Sequence, residues 1–259
     1  MSVLNKAAKT QGRMQYHIHC KPGDVGKYVL LPGDPARVER IAQHLENPIR
    51  VAYNREFLTY TGSYKGITVS ATSTGIGCPS AAIAVEELAN IGAQAFIRVG
   101  STGGLQEFLQ IGDLVISEGA MKCEGTSAFH VPDTFPAVPD FALTYCLIKA
   151  ADKLKTERGF SYYTGITASS SSFYGETQEF IKKLNALKIL SIEMEASAIF
   201  TVARQRGLKG AMISAVSGNM VTGNVIYEGE NTGLIKGWED EIAVALEAIF
   251  LHEQGAFLR

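Results

Sequence analysis

Arg37 and Arg98 each sit at a glycine-containing turn that follows an apolar run, a pairing that suits capture of an anion. Residues 96–104 read F-I-R-V-G-S-T-G-G. A guanidinium in an apolar strand is costly to desolvate unless a negative charge pairs with it, so Arg98 requires either a bound phosphate or a core carboxylate. Ser101, Thr102, Gly103 and Gly104 suit phosphate, because successive backbone N–H groups in such a turn converge on an oxyanion while hydroxyls add donors. Earlier, residues 28–31 run into P-G-D-P-A-R, where Asp34 predicts a helix N-cap and Pro35 the first helical position. Strand, Gly33 and helix start together direct free N–H groups and the positive end of a helix dipole at one point. Arg37 either reaches that point or is solvated beside Glu39 and Arg40.

Two further stretches carry groups for an organic ligand. Residues 168–174, A-S-S-S-S-F-Y, deliver Phe173, which is either a flat face for a heteroaromatic ring or ordinary core. Residues 192–197, I-E-M-E-A-S, place Glu193 and Glu195 around Met194 where a strand gives way to a helix. Carboxylates at i and i+2 on a strand point the same way and suit the vicinal hydroxyls of a sugar, with helix N-capping the alternative for Glu195. His19 has no partner in sequence and reads as a structural residue. Cys20, Cys78, Cys123 and Cys146 lack C-x-x-C spacing, so they read as plain thiols without zinc or disulfide.

These groups need a layered scaffold. Apolar runs at 28–31, 67–72, 95–100, 113–117, 163–168, 189–193 and 210–217 read as strands, several of them apolar on both faces. Helices are expected at 35–45, 79–91, 141–155, 178–187, 195–206 and 238–252. This alternation predicts a single three-layer α/β/α domain over 1–259, with a central twisted, mostly parallel sheet and a flexible or interface-associated segment at 1–15. The 259 residues carry 24 basic and 26 acidic side chains for a net charge of −2, without a Lys/Arg cluster of the kind that tracks nucleic acid. No apolar stretch approaches the ~20 residues that span a bilayer and the start has no signal-peptide core, so a cytoplasmic protein is expected.

In order along the chain stand L-P-G-D-P-A-R-V, N-R-E-F, S-T-G-I-G-C-P-S, A-V-E-E-L, F-I-R-V-G-S-T-G-G, E-G-T-S, F-P-A-V, T-A-S-S-S-S-F-Y and I-E-M-E-A-S. Together, from about residue 16 to about residue 223, they resemble the hexameric nucleoside phosphorylases, and most of all their uridine branch. The resemblance implies phosphorolysis of a ribonucleoside, uridine or a related pyrimidine nucleoside, to free base and ribose 1-phosphate, with inorganic phosphate as co-substrate and no required cofactor. It implies phosphate binding by Gly33, Arg37, Arg55, Arg98 and Ser101, with Arg55 arriving from a neighbouring subunit. It places His17, also from across the interface, on the ribose 5′-hydroxyl, and Met194 and Glu195 on the ribose. For the base it implies Thr102, Gly103, Phe173, Gln178, Glu193, Ser217 and Gly218. Arg98 and Glu195 would carry catalysis, by aligning phosphate and by favouring a cationic sugar. The resemblance further implies dimer units, three of them forming a ring, and a structural K+ held by Glu56, the Ile76 carbonyl and Ser80.

Three departures bear on the base. Purine-specific relatives carry an aspartate where this chain has Gly218, so the acid for a purine N7 is missing. F-Y-G-E-T-Q-E-F places Gln178 only approximately where uridine enzymes have their glutamine, and no arginine follows it. His19 falls where relatives have glycine. A purine nucleoside or methylthioadenosine phosphorylase, or a nucleosidase of the same fold, are the alternatives. A nicotinamide oxidoreductase would need G-x-G-x-x-G after the first strand, where P-G-D-P-A-R stands instead.

Overall fold

The computed structural model describes residues 11–225 and 232–258. Residues 1–10 of the segment expected at 1–15 lie outside the described residues. Apolar alternation in the first strand, β1 (Tyr28–Leu31), sets up both faces of the molecule. Tyr28 and Leu30 enter one core, Val29 and Leu31 the other. The first core is roofed by α1 (Pro35–Ala42), α3 (Phe141–Arg158) and α6 (Thr232–Glu253), through residues such as Ile41, Leu147 and Ile249. The second is covered by α2 (Cys78–Asn90) and α5 (Ala196–Gln205), through Val85, Leu88 and Phe200. Strands buried on both faces thus read as continuous apolar runs, and the three layers follow.

The remaining strands are β2 (Glu46–Asn54), β3 (Phe57–Tyr64), β4 (Ile67–Thr72), β5 (Ala95–Gly104), β6 (Leu114–Cys123), β7 (Tyr162–Ser170), β8 (Ser191–Glu193), β9 (Lys209–Asn219) and β10 (Asn224–Val225), with α4 (Gln178–Ala186) between β7 and β8. Their order is β10-β9-β6-β7-β8-β5-β1-β4-β3-β2, with β9 also paired to β5. Strands β5, β9, β6, β7 and β8 therefore close into a ring. Its parallel pairs are β5 with β9, β6 with β7 and β7 with β8, while β8 with β5 and β6 with β9 run antiparallel. Parallel β4, β1 and β5 join the ring to an antiparallel β4-β3-β2 edge.

Helix signals behave as their chemistry predicts. Asp34 caps α1 by accepting from the Ala36 N–H, and Asp140 caps α3 by accepting from Leu143. Gly159, left-handed at φ 66°, ends α3 three residues beyond the expected stop. Helix α6 begins at Thr232, six residues before the expected 238.

Candidate active site

The carboxyl ends of β1, β5, β7, β8 and β9 open into one cavity of about 840 Å³, within the range of small-molecule sites. It is lined by Gly33 and Arg37 after β1, by Arg98, Ser101, Thr102 and Gly103 of β5, by Phe173 after β7, by Glu193, Met194 and Glu195 after β8, and by Ser217 and Gly218 of β9. Opposite ring strands explain how segments so far apart in sequence meet there. Gly103 pairs with both Ile192 of β8 and Gly218 of β9. A register shift between Thr102 and Gly103 leaves Ser217 as the extra residue of a bulge, and its hydroxyl donates to the Thr102 carbonyl at 3.3 Å.

One end of the cavity gathers cationic and hydroxyl donors. Arg37 lies over the Trp238 ring at 4.5 Å and donates through Nη2 to Ser101 Oγ at 2.9 Å. Trp238 Nε1 donates to the same Oγ at 3.0 Å. With its acceptor capacity taken twice, the Ser101 hydroxyl is left to donate its proton elsewhere. Arg37 Nε and Nη1 are buried without a hydrogen-bond partner. Burial disfavours the charge on this guanidinium, as does nearby Arg98. Such donors fit phosphate, which would supply several strong acceptors to one spot.

Arg98 satisfies both alternatives posed by the sequence. It lines the cavity, and it pairs with core carboxylates: Nε with Glu193 at 2.6 Å and Nη2 with Glu195 at 2.5 Å. Burial works against its charge, but the two glutamates outweigh burial and keep it protonated. Gly100 leaves the guanidinium its room, since a Cβ there would stand 3.0 Å from the guanidinium carbon. Glu195 Oε1 accepts from the Gly77 N–H at 2.6 Å, so it is anchored without capping α5. Burial pushes its carboxyl up, against the pull of Arg98.

Glu193 lines the cavity, and its oxygens are heavily engaged within the chain. Its oxygens accept from Arg98, from the Ser169 hydroxyl at 2.6 Å and from the N–H groups of Glu195 and Ala196. The carboxylate thus serves the N-terminus of α5, where free N–H groups and the dipole hold a negative charge. Thr102 is similarly committed, donating to the Ile192 carbonyl at 2.8 Å.

Gln178 stands apart from the cavity. It is exposed as the first residue of α4, capped by Thr177, and does not line the cavity. Glu176 lines it instead.

His17 and Arg55 do not line this chain's cavity. His17 Nδ1 pairs with Glu87 at 2.6 Å, and exposed Arg55 lies 5.9 Å from the Tyr16 ring centre. Of the three expected cation ligands, Glu56 and Ile76 line the cavity whereas Ser80 stands behind them, donating to Glu56 Oε1 at 2.7 Å. Burial opposes ionisation of Glu56, but the Ser80 and backbone hydrogen bonds with nearby Arg55 outweigh it and hold the carboxyl below its ordinary range. No cluster of three or more His, Cys, Asp or Glu able to hold a metal occurs among the described residues. Cys20, Cys78, Cys123 and Cys146 are free, and burial pushes each thiol up, Cys20 to about 11.

Two residues of α6 escaped the sequence reading. Trp238 holds Ser101, and Glu241 lies fully buried with Oε2 unpartnered, its carboxyl pushed up to about 8 by burial against the pull of Arg37 and Arg98. The available signal was their i, i+3 spacing, which puts both on one helix face.

Residues 27–250 match the model of the phosphorylase superfamily, and the chain belongs to that family. It is 46% identical over 241 residues to a uridine phosphorylase of Thermococcus kodakarensis, covering 88% of this chain and 86% of that one. It is 42% identical over 210 residues to a guanosine phosphorylase of Halorubrum lacusprofundi, covering 81% and 86%. A crystal structure of uridine phosphorylase from Vibrio fischeri ES114 superposes with a TM-score of 0.82 at 37% identity, over 91% of this chain and 97% of that one. The chain is thus a nucleoside phosphorylase-type pentosyltransferase with a mixed α/β fold.

Proposed function

We propose that this chain cleaves uridine with inorganic phosphate, giving uracil and ribose 1-phosphate. The observation that carries this reading is the grouping of Arg37, Arg98 and Ser101 along one cavity, with two Arg37 guanidinium nitrogens buried without a hydrogen-bond partner. A nucleosidase, using water, has no use for that set. Phosphate held there attacks C1′ of the ribose as the bond to the base nitrogen breaks. Glu195 anchors the 2′- and 3′-hydroxyls and favours the positive charge that grows on the sugar. Holding two reactants in line can contribute roughly 7–11 kcal/mol of barrier lowering, so neither a covalent nucleophile nor a metal is needed. Phe173 stacks on the base, with Met194 against the ribose.

His17 and Arg55 act in a neighbouring subunit's cavity, which makes the working unit at least a dimer and, in the hexameric pattern, three dimers. Support for this is their position outside their own chain's cavity. K+ at the two-fold axis, between Glu56, Ile76 and Ser80 of both chains, would relieve the repulsion of two carboxylates. The protein works in the cytoplasm; among the described residues no helix is long and apolar enough to cross a membrane.

The test is release of uracil with and without phosphate. Phosphate-dependent release with ribose 1-phosphate as co-product is expected. Release at full rate without phosphate would make the enzyme a nucleosidase. For the shared site, inactive Arg98→Ala and Arg55→Ala proteins are mixed under conditions of subunit exchange. Partial recovery is expected, because a hybrid dimer contains one site free of either lesion; no recovery despite proven exchange would place both arginines in one chain's site.

A further inference from the structure

Glu176 is a carboxylate in the base half of the cavity that the reaction outlined above does not use. From 171 to 179 every residue is exposed except Glu176, which is half-buried. It lines the cavity beside Phe173, Ser217, Gly218 and Met220. The turn Phe173–Gly175 and the Thr177 cap of α4 fix it between two short elements. Burial pushes its carboxyl up, and the nearby Ser170 hydroxyl at the end of β7 pulls it back.

A carboxylate accepts on both oxygens, so it complements a ring edge offering two adjacent N–H donors. Guanine offers that edge, as ring N1–H beside its 2-amino group. Uracil offers one N3–H between two carbonyls, which sets a carbonyl oxygen against the second carboxylate oxygen. An amide side chain, one donor and one acceptor, has the opposite preference. The cavity, at about 840 Å³, is large enough for a two-ring base, and Ser217 and Gly218 of β9 line it along with Glu176. We propose that Glu176 reads the base edge, and that the cavity accepts guanine nucleosides in addition to uridine, with Glu176 setting the ratio. The inference rests on the nucleoside phosphorylase reading and sharpens its base.

Guanosine and inosine differ only in the 2-amino group, which makes them the discriminating pair. In phosphate, kcat/KM is measured for guanosine, inosine and uridine with the wild type, Glu176→Gln and Glu176→Asp, and the affinity of each nucleoside is measured by calorimetry without phosphate. The wild type should favour guanosine over inosine roughly tenfold or more, the scale of a lost charge-assisted hydrogen bond. Glu176→Gln should bring the two within about threefold and raise uridine relative to guanosine about tenfold. Glu176→Asp, its carboxylate withdrawn by one methylene, should weaken guanosine and leave inosine close to wild type. A guanosine-to-inosine ratio near one in the wild type, or ratios unmoved by Glu176→Gln, overturns the role of Glu176 while the phosphorylase reading stands. Preferential binding of guanosine with no cleavage of any nucleoside would uphold Glu176 as the base reader and remove the phosphorylase reading instead.

Discussion

The two ends of the cavity are built from different materials. At the end holding Arg37, Arg98 and Ser101, every group stands on a strand end or a helix, and is locked by partners: Ser101 by Arg37 and Trp238, Arg98 by Glu193 and Glu195. At the other end, Phe173 is 52% exposed on a short turn and Glu176 hangs from the connection to α4. Groups on rigid elements are held to a fixed geometry for an invariant reactant, whereas groups on loops can vary with the base without disturbing the scaffold. The difference teaches where chemistry and specificity separate. In the proposed reaction, phosphate and sugar are met by the sheet and the base by a loop.

The largest break in that contrast should come from Arg98→Ala. Truncating a desolvated charged contact costs about 2–5 kcal/mol, or roughly 30- to several-thousandfold in kcat/KM. The same change strands Glu193 and Glu195 as buried unpaired carboxylates, so thermal melting should fall as well, on the scale of about 3–5 kcal/mol. Arg98→Ala combined with Glu193→Gln separates the two effects: stability should partly return and activity should not. Phosphate kinetics unchanged in a folded Arg98→Ala protein would confine the residue to structure.

Next in size is a pair of reciprocal substitutions. Arg37→Ala removes the two unpartnered donors, so the KM for phosphate should rise roughly 10- to 150-fold while the KM for nucleoside moves little. Phe173→Ala should do the reverse, raising the nucleoside KM about five- to tenfold, the low end of base stacking, because the ring is half exposed. If each variant raised both constants alike, the two ends would not be independent.

A smaller effect, visible only against pH, belongs to Glu241. Its folded carboxyl titrates at about 8, against an ordinary 4.5, because burial disfavours the ion. Between those values the folded state holds a proton that the unfolded chain has released, so this group's contribution to stability falls as pH rises through that window and is level outside it. Glu241→Gln should therefore flatten the decline in melting temperature between about pH 5 and pH 8 relative to wild type. Parallel curves for the two proteins would mean that Glu241 does not titrate there. Smallest of all is Gln178→Ala, which should leave every kinetic constant within about twofold, as expected for an exposed position away from contacts.

Legibility followed the same division. The turn after β1 and the run of β5 were readable because local rules govern them: Asp34 caps, Pro35 starts a helix, and a buried arginine demands a counter-charge. Strand β2 was not readable. E-N-P-I-R-V-A-Y-N is mostly exposed, carries Pro48, and has register shifts against β3, as an edge strand allows but an alternating pattern does not reveal. Nor did any local pattern announce that β9 pairs with both β5 and β6, which closes five strands of the sheet into a ring of mixed parallel and antiparallel pairing rather than a simple parallel core. Gln178 was named from the resemblance, because uridine enzymes have a glutamine at about that place, and Glu176 was not considered; which of the two lines the cavity depends on where a turn ends and a helix begins.

By itself the sequence determined the layers and the anion-binding groups, because periodic burial, caps and lone charges in apolar runs are decided by each residue and its near neighbours. The tertiary structure alone decided how those charges are partnered. Arg98 meets a carboxylate 95 residues away, Ser101 is gripped by a tryptophan from the far end of the chain, and Glu193 accepts at a helix terminus. Electrostatic pairing depends on distance and burial between elements that only the closed sheet brings together, and neither quantity is written in the spacing of the residues.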